Sequence, residues 1–148
     1  MSILFKTMPD FETALSSGKI HENLICKKIK TKYPKAFVEK GYCSGFDIFV
    51  PEQNIRVEVK QDFKSNHTNN YVVEVEFNGE PSALTASVAD YWVFCDGQTD
   101  VWISPDALKR IVKNMKVAEF IAKGDKVSKK AYLVPKRIIK DNACLINE

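Results

Sequence analysis

The chain has no C-x-x-C pair: its four cysteines, Cys26, Cys43, Cys95 and Cys144, are scattered, and its only two histidines, His21 and His67, stand apart from them in sequence. That scarcity argues against a structural zinc site and for free thiols in a reducing compartment. Long apolar runs are also missing, and none approaches the roughly 20 residues that a membrane span requires. The opening MSILFKTMPDFE carries an acid too early and an apolar run too short for a signal peptide. No internal repeat or low-complexity linker occurs. The expectation is a cytoplasmic protein without a membrane partner.

What is present is ordinary in bulk and uneven in arrangement. The 148 residues, 45% apolar and 28% charged, suffice for one buried core, so one domain over 1–148 is expected. The net charge of +3 hides a division along the chain. Residues 1–35 carry a net +4, residues 36–108 a net −8, residues 109–140 a net +9 and residues 141–148 a net −2. An acidic middle between basic flanks suits a protein that holds a cation centrally and touches a polyanion around it; a solvated lysine-rich surface is the plainer alternative.

Apolar spacing at Phe11, Leu15, Leu24, Ile25 and Ile29 predicts a helix over about 10–32, with Asp10 as N-cap, a break at Gly18 and an end before Pro34. A small-residue turn, 41-GYCSG-45, precedes 46-FDIFV-50, an apolar strand interrupted by Asp47. A tight connection through Pro51–Asn54 leads to Ile55, Val57 and Val59 alternating with Arg56, Glu58 and Lys60, so the two strands form a hairpin. A third strand, 71-YVVEVEF-77, has Glu74 and Glu76 on its wet face. A short helix is expected over 82–90 with Ser82 as cap, then a buried strand at 91-YWVF-94 and another at 99-TDVWI-103. A helix starts at 104 with Ser104 as N-cap and Pro105 at N1. Beyond it, 124-GDKVSKK-130 reads as a basic loop and 131-AYLVP-135 as extended chain; 136–148 is left open between strand and helix.

The hairpin carries the chemistry. Paired strands lie about 5 Å apart, so Asp47 and Glu58 can converge. An acid inside FDIFV is costly to bury without a partner or a metal. Two carboxylates suit Mg²⁺, which takes one or two of them and fills its remaining positions with water and substrate phosphate. Lys60, on the face of Glu58, could orient or help deprotonate an attacking water.

Asp47 followed across a hairpin by Glu58-Val59-Lys60 resembles the PD-(D/E)XK nuclease superfamily, over roughly residues 18–95, although Phe46 stands where the family name has proline. The resemblance implies an α/β fold with an αβββαβ core, a mixed central sheet flanked by helices, and here a basic C-terminal extension over about 104–148. It implies a Mg²⁺-dependent endonuclease, with Mn²⁺ as substitute, that hydrolyses DNA phosphodiester bonds. Asp47, Glu58, the Val59 carbonyl and Glu22 would hold metal, and Lys60 would act on the water. Many members place a Glu on the first helix, and Glu22 in 18-GKIHENL-24 is the candidate; a solvated position beside Lys19 or Lys27 explains it equally well. A shifted reading with Asp62 and Lys64 stays open.

Small members of the superfamily include phage nucleases, junction resolvases and homing endonucleases that act on duplex or branched DNA, commonly as homodimers or homotetramers. Trp92 and Trp102 are expected in the core, and Lys27, Lys28, Lys30, Lys32 and the lysines from Lys109 to Lys140 are expected to contact phosphate. A non-catalytic DNA-binding protein on the same fold, or a nuclease acting on RNA, are the alternatives.

Overall fold

The computed structural model describes residues 11–40, 45–121 and 127–147. Helix α1 (Phe11–Lys30) runs unbroken through Gly18, correcting the expected break. A single interior glycine costs about 1 kcal/mol, which the packing of Ile25, Cys26 and Ile29 against the core offsets. Lys27, Lys28 and Lys30 in its last turn oppose the negative end of the helix dipole. The N-cap expected at Asp10, the turn over 41–44 and residues 122–126 lie outside the described residues, as does Cys43.

Strand β1 (Phe37–Val38) pairs antiparallel with β2 (Ile48–Val50), which pairs antiparallel with β3 (Ile55–Gln61). The hairpin expected between the last two is present, with Ile48 opposite Val57 and Val50 opposite Ile55. Its turn closes through Gln53 N–H to Val50 O and Asn54 N–H to Pro51 O, and Asn54 takes φ +53°, a left-handed conformation that asparagine tolerates.

After a single helical turn, α2 (Ser65–Thr68), strand β4 (Asn70–Phe77) departs from expectation. Instead of joining the central sheet, it pairs with β5 (Glu80–Pro81) on one side and with β9 (Ser128–Pro135) on the other. Residues 82–90 are turn and irregular chain, which corrects the helix expected there. Ala83 sits at φ +42°, outside helical geometry, and Ser82 Oγ donates to Glu74 Oε2 at 2.9 Å and caps nothing. Leu84, fully buried, pins this segment to the core.

Strand β6 (Tyr91–Cys95) then lies parallel to β3, and β7 (Asp100–Ile103) returns antiparallel to β6. Helix α3 (Pro105–Val112) begins as expected, with Ser104 Oγ accepting the Ala107 N–H at 3.1 Å. Strand β8 (Ala118–Ile121) pairs with β9, helix α4 (Lys136–Asp141) follows, and β10 (Leu145–Asn147) closes on β7. The open segment 136–148 is thus a helix and then a strand.

The architecture is α/β: a mixed six-stranded sheet, β1-β2-β3-β6-β7-β10, with one parallel pair, beside an antiparallel four-stranded sheet, β5-β4-β9-β8. Two apolar clusters fill it. Ile25 and Cys26 of α1 pack on Ile48, Val50, Val57, Val93 and Cys95. Tyr71, Val73 and Val134 of the second sheet meet Trp92, Phe94, Val101 and Ile103 of the first, with Leu108 and Ile139 from α3 and α4. Period-two alternation therefore sends Val57 and Val59 toward α1 and leaves Arg56, Glu58 and Lys60 on the other face of β3. Among the described residues no helix is long and apolar enough to cross a membrane.

Candidate functional site

Asp47 stands at the entrance to β2, one step before the paired residues. Its N–H donates to Val57 O at 2.8 Å, and its Oδ2 accepts the Val59 N–H at 2.7 Å. The side chain therefore bonds to the strand that carries Glu58 and Lys60. A residue in an extended strand sends its N–H and C=O to the same edge, so the Val59 carbonyl faces the side on which Asp47 stands.

Glu58 and Lys60 are neighbours on one face, with Lys60 Nζ 3.2 Å from Glu58 Oε1. The same ammonium sits 4.9 Å from the centroid of the Trp92 ring, and the Trp92 indole N–H donates to Ser87 Oγ at 3.0 Å. Trp92 is buried, as expected, and forms the floor beneath Lys60.

Glu22 lies on α1, close enough to Asp47 and Glu58 for their charges to act on its carboxyl. Burial pushes its carboxyl up to about 7, with the charges of Asp47 and Glu58 adding to the rise and Lys19 opposing it. Burial also raises the Glu58 carboxyl; Lys60 counters it and Asp47 reinforces it. Three carboxyls with one ammonium leave surplus negative charge in a partly desolvated place. Among the described residues no group of three or more His, Cys, Asp or Glu forms a ready-made metal cage.

The shifted pair is structural. Asp62 Oδ1 accepts the Ser65 N–H at 3.2 Å and Oδ2 the Val72 N–H at 2.9 Å, so both oxygens hold backbone; Lys64 is exposed. Glu74 and Glu76 belong to the second sheet, paired with Lys129 at 3.6 Å and Lys130 at 3.2 Å. His21 meets the Phe63 ring edge-on at 5.2 Å, and His67 is exposed in α2. Cys26, Cys95 and Cys144 are free thiols, and Lys28 is ion-paired with Asp100.

Two constellations escaped the sequence reading. Asp96, 3% exposed, takes a 2.7 Å bond from Lys136, whose ammonium lies 5.2 Å from the Tyr71 ring centroid. An acid directly after YWVFC was the one available signal, because Lys136 lies 40 residues away. The other is Arg56, whose guanidinium rests over Phe46 and Phe49 at 5.6 and 5.4 Å from their centroids. A cavity of about 410 Å³ lies on the α1 side of the central sheet, lined by Lys32, Tyr33, Val57, Trp102 and Leu145 among others. None of Glu22, Asp47, Glu58 or Lys60 borders it, and the titratable cluster, where perturbed acids and a lysine converge, is the candidate site.

Compared with protein-family models, with curated proteins and with solved structures, the chain finds no match in any of the three. A functional reading therefore stands on the residues of this chain.

Proposed function

We propose that the protein is a Mg²⁺-dependent endonuclease of PD-(D/E)XK type that hydrolyses DNA phosphodiester bonds through Glu22, Asp47, Glu58 and Lys60. The observation that carries this reading is the bond from the Val59 N–H to Asp47 Oδ2, which ties the lone acid of β2 to the middle of the E-x-K strand. It sets Asp47 against the strand that carries Glu58 and Lys60, which supports reading the three as one group.

The donor set fits a hard divalent cation. Carboxylate oxygens and a strand carbonyl are its preferred ligands, and Mg²⁺ retains several waters, so one or two protein carboxylates suffice without a complete cage. Asp47, Glu58 and the Val59 carbonyl would hold it, with Glu22 holding a second ion or an ordered water. When bound, such an ion supplies charge stabilisation for the phosphoryl oxygens and lowers the pKa of a coordinated water.

The chain's own groups do the rest. Lys60, held between Glu58 and the Trp92 face, presents an ammonium with fixed direction to a water or a phosphate oxygen. Glu22, whose carboxyl is pushed up to about 7 by burial and then by the charges of Asp47 and Glu58, can take or return a proton. The basic segments on either side of the acidic middle supply phosphate contacts along the polymer. A homodimer or homotetramer would present two such sites to two strands.

The test is a digestion panel of duplex, branched and single-stranded DNA and of RNA, in Mg²⁺, Mn²⁺ and EDTA. Wild type should cut DNA with either metal and not in EDTA, whereas Asp47→Ala and Lys60→Ala should not cut. If the wild type cuts nothing, or all three cut equally, the reading is wrong. Cutting of RNA alone would transfer the site to the other polymer.

A further inference from the structure

Arg56 shares a strand face with Glu58 and Lys60 but has no part in the hydrolysis just described. Its backbone is fixed, the N–H donating to Asp90 Oδ2 at 2.8 Å and the carbonyl accepting the Asp90 N–H at 2.8 Å. None of the ion pairs among the described residues involves its guanidinium. That group instead lies over Phe46 and Phe49. The Phe49 ring continues edge-on into Phe37 at 5.9 Å and 69°, and Phe37 is 43% exposed at the outer strand of the sheet. On the far side of Lys60 a second exposed ring, Phe63, stands against His21. Gly97, at φ +89°, leaves room for that ring: a Cβ there would meet it at 3.2 Å.

An exposed ring, Phe37, that continues into the half-buried Phe49 beneath the Arg56 guanidinium, on the strand face of Glu58 and Lys60, makes a poor surface for solvent and a good one for bases. A continuous duplex hides its base faces and offers phosphates and groove edges. Unpaired strands offer both a π-face to stack and a phosphate to hold, which is the combination of aromatic platform and cation that single-strand binders use. Arg56 lies two residues, about 6.6 Å, along the strand from Glu58, so a phosphate it holds is a neighbour of one at the carboxylates.

We infer that Phe37, Phe49 and Arg56 form a subsite for unpaired DNA, a base stacking on the rings while Arg56 holds the adjoining phosphate. The substrate that follows is single-stranded DNA or a splayed strand at a fork or flap, not continuous duplex. This substrate assignment rests on the endonuclease reading, but binding at the platform can be measured without it.

The experiment is fluorescence anisotropy with a labelled oligothymidylate and a hairpin duplex of equal length, in EDTA so that nothing is cut. Wild type should bind the oligothymidylate more tightly. Phe37→Leu should weaken that binding about tenfold and Phe37→Trp should retain it. Arg56→Gln should weaken it and flatten the dependence of log affinity on log salt by about 0.7. Phe120→Ala, which removes an exposed ring on β8, should change nothing.

Preference for the duplex, or wild-type affinity in Phe37→Leu with circular dichroism unchanged, overturns the subsite. Tighter binding of oligouridylate than of oligothymidylate overturns its assignment to DNA. The two proposals separate cleanly. Phe37-dependent binding without cleavage of any DNA leaves the platform standing and removes the hydrolysis, whereas Asp47-dependent cleavage with Phe37→Leu silent does the reverse.

Discussion

Lys136 and Lys60 each sit between a carboxylate and an aromatic face, and they do opposite things. Lys136 reaches Asp96 at 2.7 Å over the Tyr71 ring, with side chains 12% and 3% exposed, and Asn66 Oδ1 takes a further bond at 3.1 Å. Asp96 also accepts the Gln98 and Thr99 N–H groups at 2.9 and 2.8 Å. Burial alone would raise its carboxyl, but the Lys136 hydrogen bond and those backbone donors outweigh burial and hold it at about 2. Lys60 reaches Glu58 at 3.2 Å over the Trp92 ring, yet Asp47 and Glu22 add negative charge that one ammonium cannot match, and two of the carboxyls are pushed up. A balanced buried pair locks the two sheets together. An unbalanced, partly exposed one leaves surplus negative charge, which a bound divalent cation would offset.

The largest expected effect falls on the unbalanced group. Lys60→Ala should lower the cleavage rate about 10³-fold while the urea unfolding midpoint barely moves, as single-turnover assays and denaturation would report. The mirror change, Lys136→Met, should leave Asp96 buried without its cation and cost about 3 kcal/mol of stability by urea denaturation. Unchanged stability there would dissolve the contrast.

A smaller effect concerns acid. The Asp96 carboxyl is lower in the folded protein, about 2, than its ordinary 3.8. Its stabilisation, about 2 kcal/mol, is therefore complete above pH 4 and lost as pH falls through 2. Denaturation across that range should show the loss in wild type and not in Asp96→Asn. The smallest effect is the reverse in sign: Glu22→Gln removes a half-buried repelling acid, so metal-free protein should gain about 1 kcal/mol.

What the sequence disclosed was what local pattern and local chemistry decide. The β2–β3 hairpin was legible because alternation and a tight turn fix its register, and the α3 start because Ser104 and Pro105 are cap residues. The convergence of Asp47 on Glu58 and Lys60 follows from that register, and Glu22 was named only because the resemblance asked for a helical acid. Alternation in β4 said that one face is wet without saying who its neighbour is; the partner β9 lies more than 50 residues away. The segment 82–90 looked helical by composition, but the buried Leu84 and the left-handed Ala83 show tertiary anchoring winning over propensity. Asp62 looked like a spare catalytic acid until both its oxygens were found on backbone N–H groups. Arg56 could not be understood before the rings of Phe46 and Phe49 were placed beside it.

The claim that the Glu22–Asp47–Glu58 group holds a divalent cation is most directly tested by urea unfolding in Mg²⁺ and in potassium salt of equal ionic strength, for wild type and Asp47→Ala. A ligand that binds only the folded state adds about 2.7 kcal/mol at 100 times its dissociation constant. The wild type should therefore be stabilised by Mg²⁺ and Asp47→Ala should not. No stabilisation of the wild type, or equal stabilisation of both proteins, would contradict the account.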